Sequence, residues 1–176
     1  AGVTVWVLTH SMLNKLVKAG MYRVRLPVET GNPASLKYIN KPVNLEKTKE
    51  LIPYLHSLGL WVTANFLLGF PDETEKEIYE TINYAEENIF DDISYYIAQP
   101  GLNTEMTDDF SARSLLPNGI VSTSQPFNTA YDTTYLTAEK LNAIKSEADR
   151  RFGKLRLKRL FSVRYIFKFL WPKINS

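Results

Sequence analysis

The chain has 176 residues, 44% apolar and 23% charged, a folded composition long enough for one hydrophobic core and far from that of a disordered chain. It has no cysteine, which excludes disulfides and any iron–sulfur or thiolate zinc site made by this chain alone, and is compatible with a reducing cytoplasm. The net charge of +2 hides an asymmetry: nine Lys or Arg and no acid lie from Arg150 onward, whereas residues 1–149 hold 12 Lys or Arg against 19 Asp or Glu.

The chain opens at Ala1 on a strand-like run, VTVWVLT, with neither a basic leader nor an apolar signal segment of useful length, and reads as a piece of something longer. Thr9 to Ala19 follows as a capped helix closed by Gly20, with Met12, Leu13, Leu16 and Val17 inward. Tyr22 to Glu29 is the next strand, ending at TGNP. Asn44 to Leu58 is a helix with Leu45, Leu51, Ile52, Leu55 and Leu58 on one face, Asn44 as its N-cap and Gly59 as its C-cap. Pro53 should kink it or mark a weak turn.

Leu60 to Leu68 is a second strand, and its segment from Val62 is too apolar for a sheet with one wet face, so it should be parallel and buried on both sides. Gly69 and Pro71 break the run. Thr74 and Glu77 then form a T-x-x-E capping box that starts a helix from Thr74 to Asn88, with Ile78, Ile82, Ala85 and Ile89 toward the sheet. Ile93 to Gln99 is a third strand, before PGLNT. Asp108 to Thr134, rich in Ser, Thr, Asn and Asp, reads as loop with one short strand at Ile120 to Thr123. A last helix runs from Thr137 to Phe152, ended by Gly153.

Strands alternating with helices argue for an α/β fold with a parallel sheet, either open or part of a barrel, since three or four strands cannot close one. Small molecules bind such folds at the carboxyl ends of the strands, which points to Gly69 to Glu73.

Three of these strand ends, YRVRLPVETGNP, NFLLGFPDETEKEI and YYIAQPGLNTEM, occur in this order and at intervals that resemble the later half of the radical S-adenosylmethionine (radical SAM) enzyme core. The resemblance covers roughly Gly2 to Met106 and is closest to members that carry an additional cobalamin-binding domain. It implies a partial TIM-type (β/α) barrel with parallel strands, followed here by a helical carboxyl-terminal extension. The organisation expected is a half-barrel over 1–107, a loop-rich connection over 108–136 and a helical basic tail over 137–176.

Residue by residue, the resemblance implies that Glu29, with Thr30 and Gly31, lies where the family's acidic residue and glycine end the fourth strand, the carboxylate accepting from the cofactor's ribose or amino group. It sets Asn65 to Asp72 over the fifth-strand motif, where backbone groups around Leu68, Gly69 and Phe70 address the adenine, with Asn65 in place of the usual glycine. Gln99 and Pro100 fall at the sixth strand's end, near adenine. The family's four-iron four-sulfur cluster is held by three cysteines after the first strand. With no cysteine here, those ligands are expected upstream of Ala1, in a missing amino-terminal half of the barrel. The competing reading is a cluster-less half-barrel serving as a binding or membrane-docking module.

Other features keep plainer alternatives. Glu29 also suits a cap for a helix beginning near Asn32, and Asp72 and Glu73 suit the positive end of the following helix better than an acid–base pair. His10 and His56 lie far apart on helix surfaces, without metal-ligand spacing. In the tail KLRLKRLFSVRYIFKFLW, Leu160, Val163, Phe167 and Leu170 share a helical face. That helix either packs its aromatics on the protein or docks on a membrane surface, while the acidic body disfavours nucleic acid.

Overall fold

The computed structural model describes residues 9–116 and 131–161. The elements in order are α1 (His10–Lys18), β1 (Arg23–Glu29), α2 (Pro33–Tyr38), α3 (Leu45–Ser57), β2 (Trp61–Leu68), α4 (Glu75–Glu87), β3 (Asp92–Ile97), α5 (Glu105–Ala112) and α6 (Ala138–Leu160). The expected opening strand, the strand at Ile120 to Thr123 and the tail beyond Phe161 lie outside the described residues.

Three parallel strands form one sheet in the order β1-β2-β3. Parallel neighbours need long crossovers, and the helices supply them. Side-chain alternation gives the sheet two unlike faces. Val24, Leu26, Val28, Val62, Ala64, Phe66, Leu68, Ile93, Tyr95 and Ile97 lie on one face in a single core with Ile52 and Leu55 of α3, Ile78, Ile82 and Ala85 of α4, and Leu141, Ile144, Ala148 and Phe152 of α6. Phe66 is fully buried at its centre and meets Tyr84, Phe90 and Tyr95 at ring separations of 5.9–6.3 Å. The other face carries Arg25, Thr63, Asn65 and Ser94. On this face of β2 Thr63 is buried but Trp61, Asn65 and Leu67 are half-buried, so the strand is less covered here than the expected burial on both sides.

Local signals account for the helix starts. Asn44 accepts from the Lys47 amide at 2.9 Å and begins α3, and Thr74 and Glu77 close the capping box of α4. The α3 helix runs through Pro53 without interruption. Only Leu13 of α1 is fully buried, and Met12 is 42% exposed, contrary to its expected inward place. Ile89 falls beyond the end of α4, where helical periodicity no longer applies, and is 49% exposed.

Two further expectations are corrected. Asp108 to Ala112 is not loop but the second half of α5, which Thr104 caps by accepting from Thr107 N. Gly153 does not end α6: the helix continues to Leu160 because Leu155 packs on the core and Arg156 and Arg159 bind α4 and the start of β3, contacts that outweigh the roughly 1 kcal/mol helix penalty of one glycine. Among the described residues no helix is long and apolar enough to cross a membrane.

The Thr74→Ala variant removes an N-cap acceptor, and its unfolding free energy, measured by denaturant titration, should fall by about 1 kcal/mol.

Candidate functional site at the carboxyl ends of the strands

The chain leaves β1 under constraint. Pro27 has no amide to give the ladder, and the register with β2 shifts between Leu26 and Glu29. Glu29 emerges at φ +70°, a left-handed conformation that few non-glycine residues adopt. Its carboxylate is ion-paired with Lys41, and α2 is capped instead by Asn32, which accepts from Ser35 N at 2.9 Å. Glu29 is therefore not the helix cap. Gly31 sits against α4: its amide donates to Thr81 Oγ1 at 3.1 Å, and a Cβ there would lie 2.5 Å from Tyr84 Cβ and 3.0 Å from Thr81 Cα. Packing alone accounts for that glycine.

The β2 exit is built around Glu73. Although next to a helix start, its side chain turns inward, only 3% of the residue is exposed, and its carboxylate accepts from Gly69 N at 2.7 Å, Phe70 N at 3.2 Å and Ser35 Oγ at 2.8 Å. It thus ties the β2–α4 turn to α2. Burial pushes its pKa up to about 7, against the pull of the three donors. Asp72 points outward to Arg113 and Thr134. Arg113 also holds Asp109, which accepts from Tyr38 Oη at 3.0 Å, so α5, α2 and the β2–α4 turn are cross-linked.

These bonds change the expected roles of the turn's backbone. The Gly69 and Phe70 amides already serve Glu73, the Leu68 carbonyl accepts from Ala98 N at 2.8 Å, and the Phe70 carbonyl accepts from Glu73 N at 3.0 Å. The Leu68 side chain lies in the helix-side core. Gly69 adopts φ +85° and backs onto Leu141, where a Cβ would approach to 3.0 Å, and the buried Phe70 ring tilts against Tyr38 at 5.8 Å. Beyond β3, Gln99 is half-buried and Pro100 buried.

Asn65 is the contrasting residue. It lies on the polar face of β2 in register with Ser94, and among the described residues its buried Oδ1 has no hydrogen-bond partner. An unpaired buried acceptor costs about 1–3 kcal/mol unless a ligand or water supplies a donor. Glu29, the Gly69 turn and Gln99 thus lie at or just beyond the carboxyl ends of adjoining parallel strands, and Asn65 lies within β2, three residues before its end.

The histidines lie elsewhere. His10 stacks on Tyr54 at 3.9 Å, while His56 is more enclosed than a surface residue and contacts Asp91 Oδ2 at 3.1 Å through Nε2. Among the described residues no group of three His, Cys, Asp or Glu could hold a metal ion.

The sequence model of the Radical SAM superfamily matches residues 3–85, which contain β1, the β2–α4 turn and most of α4. The chain belongs to the radical SAM superfamily. It is 32% identical to cytidylyl-2-hydroxyethylphosphonate methyltransferase of Streptomyces wedmorensis, in a match covering 76% of this chain and 25% of that protein. With tRNA-2-methylthio-N(6)-dimethylallyladenosine synthase of Anaplasma phagocytophilum it shares 28% identity, over 74% of this chain and 32% of that one. The fold matches coproporphyrinogen III oxidase (HemN) of Escherichia coli, a radical SAM enzyme, with a TM-score of 0.61 at 14% identity, covering 88% of this chain and 31% of HemN. The open three-stranded sheet is accordingly part of a radical SAM partial barrel. The matched region spans between about a quarter and a third of these proteins' lengths.

What the sequence reading missed is the buried place of Glu73 and the bridge from Tyr38 through Asp109 and Arg113 to Asp72. An acid at a helix start predicts a dipole contact, and nothing local distinguishes one that turns inward.

Two predictions follow the geometry. Gly31→Ala forces Thr81 or Tyr84 to move and should lower stability by about 1–3 kcal/mol, read by thermal melts followed by circular dichroism. For Glu73 the folded pKa lies above the unfolded one, so between pH 4.5 and about 7 the folded state holds the extra proton and stability falls as pH rises. Glu73→Gln should flatten that part of the profile while keeping the turn, as urea midpoints measured across this range will show.

Proposed function

We propose that this chain is the cofactor-contacting later half of a radical SAM group-transfer enzyme. The observation that carries the reading is Asn65: a buried acceptor on β2 without a donor among the described residues fits a group rich in donors such as the hydroxyls and exocyclic amine of S-adenosylmethionine. Glu29, Gly69, Phe70, Gln99 and Pro100 would line the same cofactor, with Gly31 and Leu68 shaping the strand ends from within the fold. When bound beside a reduced four-iron four-sulfur cluster, S-adenosylmethionine supplies a deoxyadenosyl radical.

This chain's own share is binding and orientation. The Glu29 carboxylate accepts a hydrogen bond from a ribose hydroxyl or the amino group after exchanging part of its contact with Lys41. Asn65 Oδ1 accepts a second hydrogen bond, and Glu73 holds the β2–α4 turn in place. The cluster ligands are cysteines, which residues 1–176 lack, so they come from another part of the assembled enzyme. Cobalamin remains a proposal from the resemblance, and we assign it no residue of this chain. Methyl or methylthio transfer is the reaction class in view, because the two relatives above are named as a methyltransferase and a methylthio-group synthase.

The test is equilibrium dialysis of S-adenosylmethionine against the enzyme containing this chain. Glu29→Ala and Asn65→Ala should each weaken binding at least about tenfold, the loss expected for a hydrogen bond to a buried or charged acceptor. Unchanged affinity in both variants would sink the assignment.

A further inference from the structure

Residue 150 divides the outer face of α6. Leu141, Ile144, Ala148 and Phe152 face the sheet. With about 100° between successive residues, the opposite side carries Glu139, Ala143 and Ser146 in the first half, then Arg150, Lys154, Leu157 and Phe161, with the exposed Lys158 on its flank. Large apolar residues and cations thus appear together only in the second half.

The other cations of this region are used internally. Arg151 binds Glu86 at 2.7 Å, Arg156 binds Asp92 at 3.1 Å, and Arg159 donates to the carbonyls of Glu86 at 2.8 Å and Phe90 at 2.9 Å, closing the end of α4. These contacts fix the helix to the body and leave the outer stripe unneeded for packing. Arg150, Lys154 and Lys158 are exposed and, among the described residues, form no ion pair. Leu157 is 56% and Phe161 79% exposed.

From this stripe we infer that the protein docks on an anionic lipid surface through the outer face of α6, with Arg150, Lys154 and Lys158 at the headgroups and Leu157 and Phe161 in the acyl boundary. Interfacial helices have this composition, a cationic fringe around apolar side chains that gain by leaving water. A second copy of the same stripe would meet it with like charge. Nucleic acid would satisfy the cations but not the exposed Leu and Phe, and residues 1–149, with their excess of acids, would oppose phosphate. The inference is independent of the cofactor assignment.

The experiment is cosedimentation of the full chain with vesicles of phosphatidylcholine alone and of phosphatidylcholine mixed with phosphatidylglycerol. Partition onto the mixed vesicles only, weakening as salt is raised, is expected. Lys154→Glu with Lys158→Glu, and separately Leu157→Ser with Phe161→Ser, should each lower the partition coefficient at least about tenfold at unchanged circular dichroism. If the Ser pair loses helical signal, the charge pair and the salt dependence decide. The inference is overturned by no partition onto the mixed vesicles, by equal partition onto neutral ones, by variants that bind as well as the parent, or by retention on RNA without retention on vesicles.

Discussion

The buried carboxylate of Glu73 organises the carboxyl-terminal end of the sheet. It occupies the space under the β2–α4 turn and gathers two backbone amides from its own loop and a hydroxyl from α2. A group that accepts only, set among donors, is well satisfied when ionised, yet its burial is costly enough to raise its pKa to about 7. The turn it holds is consequently one conformation, with Gly69 at φ +85° and close against Leu141.

The sheet separates stability from chemistry. Its helix-covered face is apolar and densely aromatic around Phe66, and this face supplies most of the burial that holds three short strands parallel. The opposite face is left free to carry polar side chains. It carries Asn65, whose buried Oδ1 has no partner among the described residues, and at the end of β1 Glu29 adopts a left-handed conformation.

The basic carboxyl-terminal region has two roles divided by helical phase. Arg151, Arg156 and Arg159 lock α6 onto α4 and β3, and Arg159 satisfies carbonyls that the end of α4 leaves open. Its outward residues contribute nothing to that attachment. A single count of positive charge over the segment would merge these two populations.

Much of the fold was legible in the sequence because its signals are local. The strand ends fall within a residue or two of expectation, and Asn44, Thr74 and Thr137 cap the helices they were expected to cap, since an N-cap is decided by a side chain and an amide three residues on. Motif order and spacing were also enough to point to the superfamily. The sequence left open whether Glu29 caps a helix, and it showed neither that Gly31 packs against a neighbour nor that Glu73 turns inward. Those depend on contacts between residues 12 to 53 positions apart, with Lys41, Tyr84 and Ser35 as the deciding partners. The extension of α6 past Gly153 has the same origin. Local propensity there is weak, and packing on the core decides the outcome, because a long-range contact can outweigh a single residue's backbone preference.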